Sequence, residues 1–229
     1  MATEPQTFPT PDQIIERLKA AVPQLKKKAY ASLYGFDMDD VICTAVEANT
    51  IRGFNQKKLG LKESPMNIYR DWASDFVMWL GYTEFREVTD REGFEVFHRK
   101  AQQSCERAFQ KQGANSGLTY GQTTKLVDLL LKRLVRFSEI PDDERVRLSE
   151  FLHVPLEKYT LIAIRELEVI DGEGKSVKIP KSATMANITR ADVYTGIQSL
   201  FTDMAKEAEA PTIFLDYLLW EMQHPGSDD

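Results

Sequence analysis

Gly117-Leu118-Thr119-Tyr120-Gly121-Gln122-Thr123-Thr124-Lys125 runs directly into Leu126-Val127-Asp128-Leu129-Leu130-Leu131-Lys132, and the change of pattern between the two decides the fold. Residues 112–121 are rich in Gly, Asn and Ser, the composition of a loop. From Thr123 to Phe137 the residues Leu126, Leu130, Leu131, Leu134 and Phe137 form an apolar helical stripe. Lys125 lies beside that stripe, on a face shared with Asp128, Leu129, Lys132 and Arg136.

Working outward, the same helical period recurs along most of the chain. Ile14, Ile15, Leu18, Ala21, Val22 and Leu25 mark a helix over 11–32, opened by Thr10-Pro11, with Pro23 as a point of kinking or division. A second helical run covers 38–56 and ends before Gly60. Ser64-Pro65 opens a third, carrying Trp72, Phe76, Trp79 and Leu80 and stopping at Gly81. Asp90 opens a fourth, which ends at Gly113. Short helices follow over 143–152 and, started by Pro155, to about Leu167. Helices resume over 190–207 and 212–223. Residues 170–188, with Gly172, Gly174 and Pro180, break the pattern, and Val177-Lys178-Ile179 reads as a short strand or a loop. The tail 225–229 reads as disordered. The expected fold class is all-α.

The chain's 229 residues, 42% hydrophobic and 28% charged, suffice for a buried core. No apolar run approaches the roughly 20 residues that span a bilayer, and Met1-Ala2-Thr3-Glu4-Pro5 does not read as a signal peptide. Cys43 and Cys105 lie far apart and read as free thiols of a cytoplasmic protein. Two cysteines are too few for a four-iron cluster. His98, His153 and His224 show no metal spacing, so no metal site or cofactor is expected. A net charge of −6 argues against nucleic-acid binding over the whole surface, but leaves local basic faces at residues 26–28, at 52–58, and at Lys132, Arg133 and Arg136.

Two helix starts carry the candidate chemistry. A glycine-marked turn at a helix N-terminus presents unpaired N–H groups and a positive dipole end, which together hold a phosphate. Gly121 to Lys125 fits that role, and equally a plain interhelical loop. Lys125 reads either as a surface lysine paired with Asp128, or as an amine in a cleft, where desolvation frees it for nucleophilic attack. The second start is His153-Val154-Pro155-Leu156-Glu157. An acid in the first turn of a helix is favoured by the dipole alone; the functional alternative is a carboxylate serving as a base or stabilising a cationic sugar. On the C-terminal helix, Asp216 and Trp220 lie one turn apart. They read as a paired acid beside a core indole, or as a pocket wall that bonds and stacks on a base.

Taken together, these residues resemble the helix-hairpin-helix DNA glycosylase superfamily, most closely its archaeal 8-oxoguanine branch. Gly121 and Lys125 match the spacing of the hairpin's first glycine and its lysine. Val154-Pro155-Leu156-Glu157 matches the segment that supplies the catalytic carboxylate, and Asp216 with Trp220 matches an acid and tryptophan of that branch. Thr123 replaces the second hairpin glycine, and Glu157 replaces an aspartate. The resemblance implies a single two-lobed helical domain, with a middle lobe of about 64–160, the terminal helices as the other lobe, and an active-site cleft between them. It implies Lys125 and Glu157 as catalytic residues, and Trp72, Trp79, Asp216 and Trp220 as the base pocket. Tyr120, Gly121, Gln122, Thr123 and Thr124 would bind the DNA backbone. The implied partner is double-stranded DNA bearing a modified base, bound by a monomer with no membrane association and no cofactor. The base would be an oxidised purine, or a hypermodified phage base such as glucosylated hydroxymethylcytosine. Base release through a lysine Schiff base, with strand cleavage to follow, is the implied reaction. A non-catalytic DNA-binding module and a helical interaction protein are the alternatives.

Overall fold

A computed structural model describes residues 9–31, 37–47, 51, 53–113, 117–165, 167–180 and 182–224. The protein is mostly helical. Among the described residues the order is α1 (Pro11–Ala31), α2 (Met38–Ala45), the one-turn α3 (Gln56–Leu59) and α4 (Pro65–Phe76). A π-helical turn (Val77–Gly81) joins α4 to α5 (Tyr82–Arg86). Then come α6 (Arg91–Lys111), α7 (Tyr120–Leu134), α8 (Asp142–Phe151) and α9 (Lys158–Ile164). A two-stranded antiparallel hairpin follows, pairing Val169 with Val177 and Ile170 with Ser176. A 3-10 turn (Met185–Asn187), α10 (Ala191–Glu207) and α11 (Phe214–Gln223) complete the chain. No described helix is long and apolar enough to cross a membrane.

The helix starts follow local capping chemistry. Ser64 accepts from the Asn67 N–H ahead of Pro65, and Asp90 accepts from the Gly93 N–H, so orphan donors of the first turns are satisfied by side chains. Four boundaries differ from the sequence reading. The run expected over 38–56 stops at Ala45. Gly81 does not stop a helix: it has helical dihedrals, and a Cβ there would lie 2.5 Å from the Phe76 ring, so its lack of side chain serves packing. Where 177–179 read as a strand or a loop, Ser176–Val177 forms the second arm of a hairpin whose first arm, Val169–Ile170, carried no sequence signal. Pro23 lies inside a continuous α1. The tail 225–229, read as disordered, lies outside the described residues.

The centre of the fold is α7. It packs on α2, α6, α10 and the 3-10 turn, and its buried set includes not only Leu126, Leu130, Leu131 and Leu134 but also Lys125 and Asp128. A helix buried nearly all round has to satisfy its polar side chains inside the protein. That demand, rather than surface chemistry, assembles the sites below. Elsewhere α4 packs on α6, while α1 packs on α10 and α11.

Candidate active site

The start of α7 is closed. Thr119 caps it: its Oγ1 accepts from the Gln122 N–H at 3.3 Å, and the Gln122 side chain accepts from the Thr119 N–H at 3.0 Å. Gly121 donates its N–H to the Ile188 carbonyl at 2.8 Å. The 3-10 turn approaches so closely that a Cβ on Gly121 would sit 2.3 Å from the Met185 carbonyl oxygen. Gly121, Gln122, Thr123 and Thr124 are all buried, and Tyr120 is half-buried. At the segment expected to grip a phosphate, residues 120–124, the glycine makes room for protein backbone and its amide is already bonded.

Lys125 and Glu157 do meet. Lys125 Nζ lies 2.8 Å from Glu157 Oε1, with the lysine side chain 4% and the glutamate 23% exposed. The helix carrying the acid begins later than Pro155 suggests. Glu157 has extended dihedrals (φ −109°, ψ 172°) and is the cap of α9; its N–H donates to Thr160 Oγ1 at 2.8 Å. Val154, Pro155 and Leu156 form a buried approach segment. Asp128, the alternative partner of Lys125, bonds to His98 and Tyr194.

A second lysine–acid pair lies along the same helix. Lys132 Nζ pairs with Asp216 Oδ2 and lies 4.2 Å from the centre of the Tyr217 ring. Burial pulls the Lys132 ammonium down, but Asp216 and Tyr217 more than offset it and hold its pKa above the ordinary lysine value. One of the three residues of the third basic face, Lys132, is thus spent on an internal pair. Tyr159 joins the two pairs: its hydroxyl donates to Asp216 Oδ1 at 2.6 Å. Burial, then Asp216 and Glu157, push its phenol far above the usual range. Trp220 stacks on His224 with ring centres 4.7 Å apart, and His224 meets Tyr159 edge-on at 6.4 Å.

Four of the expected catalytic and pocket residues, Lys125, Glu157, Asp216 and Trp220, are thus linked through Tyr159 and His224. Trp72 and Trp79 are not part of this group. Trp72 is buried, stacked between Tyr69 and Phe76, with its N–H donated to Ser104 at 3.2 Å. Trp79 is 81% exposed on the π-helical turn. Both line a half-open cavity of about 570 Å³ between α4 and α6, whose walls include none of Lys125, Glu157, Asp216 or Trp220. The four residues expected in a base pocket thus lie in two places: Trp72 and Trp79 at this cavity, Asp216 and Trp220 near Tyr159 and His224.

The sequence reading also missed a buried polar cluster. His98, Asp128 and His153 place ligand-type atoms within 4.8 Å of one another, and Tyr194 bonds to both Asp128 and His153. Histidines 55 positions apart carry no spacing signal; the usable clue was Asp128, an acid within the apolar stretch of residues 126–131. Comparison with protein-family models, with curated proteins and with solved structures gives no match.

Proposed function

We propose that the protein is a DNA N-glycosylase that removes a modified base through a Schiff base on Lys125. The observation that carries this reading is the 2.8 Å contact between Lys125 and Glu157. A buried amine sits against a carboxylate that can take its proton, the arrangement an activated nucleophile needs. Asp216 and Trp220 reach the same network through Tyr159 and His224, which supports an acid and an indole near the reacting centre. In this reading the α4–α7 packing forms the middle lobe and α1 with α10 and α11 the other.

The reaction runs as follows. The target nucleotide turns out of the duplex and enters over Glu157, the more exposed member of the pair. Glu157 takes a proton from Lys125. The neutral amine attacks C1′, the C1′–base bond breaks and its electron pair leaves with the base, which is then protonated. Opening of the sugar ring gives the iminium. Elimination of the 3′ phosphate from that iminium cleaves the strand. The protein acts as a cytoplasmic monomer on double-stranded DNA, and because the start of α7 is covered, backbone contacts fall to other surfaces. Lys26, Lys57 and Lys58 are exposed members of the basic stretches.

Borohydride trapping on duplexes carrying 8-oxoguanine or glucosylated hydroxymethylcytosine tests the proposal. A reduced adduct with wild-type protein and none with Lys125→Met is expected. Absence of both adduct and free base across a wide panel of modified duplexes, with folded protein, overturns it.

A further inference from the structure

The cluster behind Lys125 has more hydrogen-bond contacts than protons to fill them. His98 Nε2 is 2.7 Å from Asp128 Oδ1. The Tyr194 oxygen is 2.9 Å from Asp128 Oδ2 and 3.0 Å from His153 Nδ1. His153 Nε2 is 2.9 Å from Glu95 Oε1. These are four contacts, and each needs one proton. Two ionised carboxylates bring none, the phenol brings one, and two neutral imidazoles bring one each, so the set is one short. If His153 gives its proton to Glu95, its Nδ1 and Asp128 compete for the single phenolic proton.

We propose that His98 Nε2, the Asp128 carboxylate and His153 Nδ1 bind one divalent transition-metal ion of the zinc class, with the Tyr194 oxygen beside them. A cation fills the contact that the three available protons leave open. It also compensates Asp128, whose side chain is 1% exposed and whose described hydrogen-bond partners are an imidazole and a phenol. Two imidazoles and one carboxylate are a zinc-type donor set. The outer contact fits too: metal-bound histidines commonly give their other N–H to a carboxylate, and Glu95 receives it from His153 Nε2. Arg91, 4.0 Å from Glu95, balances that carboxylate.

Donors about 2.0–2.1 Å from a tetrahedral ion lie about 3.4 Å apart, so the widest separation, at most 4.8 Å, closes by up to about 1.4 Å on binding. That is the scale of small imidazole and carboxylate rotations. The ion would join α6, α7 and the segment preceding α9, with α10 contributing Tyr194. Asp128 lies one turn beyond Lys125, and His153 four residues before Glu157. The ion is therefore a structural clamp on the two carriers of the lysine–acid pair, and its presence does not depend on what that pair acts on.

The test uses the untagged full-length chain, stripped with a strong chelator and returned to chelator-free buffer. Titration with Zn²⁺ should show one ion bound per chain and a raised Tm, and Co²⁺ should give the intense visible bands of a low-coordinate site. His98→Ala and His153→Ala should lose this binding, Glu95→Gln should weaken it about tenfold, and Cys43→Ser should leave it intact. A wild-type chain that takes up neither Zn²⁺ nor Co²⁺ overturns the proposal, since a proton on His153 then fills the deficit. Undiminished binding in the two histidine variants overturns it as well. Should those variants fail to fold, the wild-type cobalt spectrum and the Tm change on chelation still decide.

Discussion

Tyr159 donates its hydroxyl to Asp216 at 2.6 Å, and this bond ties the helix that follows Glu157 to the C-terminal helix that pairs with Lys132. A short hydrogen bond to a carboxylate that is 1% exposed is of the charge-assisted kind, worth about 1.5–3 kcal/mol net. Tyr159→Phe keeps the ring and removes only that bond. Urea denaturation should show a loss in that range with an unchanged m-value; a loss under about 0.5 kcal/mol would mean the contact adds little in solution.

The Lys125–Glu157 pair should respond unequally to removal of its two members. Glu157→Ala takes the paired carboxylate from an ammonium whose side chain is 4% exposed, whereas Lys125→Met leaves a carboxylate that is 23% exposed and can turn to water. Breaking a buried pair costs about 3–5 kcal/mol when the remaining charge stays buried, so Glu157→Ala belongs near that range and Lys125→Met well below it. Equal costs in chemical denaturation, or a larger one for Lys125→Met, would contradict the burial difference.

Gly121 was read as a phosphate grip, but it behaves as a packing position. An added methyl would lie 2.3 Å from the Met185 carbonyl oxygen and 2.8 Å from Ile188 Cβ, so backbone has to shift. Gly121→Ala is expected to destabilise by about 1–3 kcal/mol, the usual cost of overpacking, despite alanine's higher helix propensity. Hydrogen exchange should show faster opening at Met185–Asn187. A neutral or stabilising effect would mean that the turn does not press on α7.

These cases show what the sequence could and could not convey. The long helices were legible because their caps and apolar stripes are local: Asp90 before α6, Ser64-Pro65 before α4, and the leucines of α7. The start of α9 was not, because proline at a first helical position is only a preference and Glu157 adopts an extended backbone as the cap. Lys125 and Glu157 were found as a pair because both flank recognisable helix starts. Tyr159 and the His98–Asp128–His153 group went unread because contacts between distant elements leave no periodic trace. Trp72 and Trp79 were named from the resemblance alone; they line the cavity between α4 and α6, and helical spacing does not say which neighbour their segment packs against.

Alkaline pH should unfold the protein early. Burial raises the pKa of Tyr69 and Cys105, and burial with nearby acids raises that of Tyr159. In the unfolded chain the thiol releases its proton near 8.5 and the phenols near 10; in the native state all three hold theirs to higher pH. Above those values the unfolded state binds fewer protons than the native one, so stability falls as pH rises. Lys132 acts in the same direction, because its raised value contributes stability that is lost as pH climbs through its folded-state pKa. Denaturation midpoints should therefore be flat near neutrality, begin to fall above about pH 8.5 and fall steeply above about pH 10. Tyrosinate absorbance should lag behind that of the urea-unfolded chain until the cooperative transition. The full tyrosinate amplitude of all eight tyrosines at the unfolded-chain pH while the far-UV signal stays native would show that Tyr69 and Tyr159 are reached by water in the folded protein.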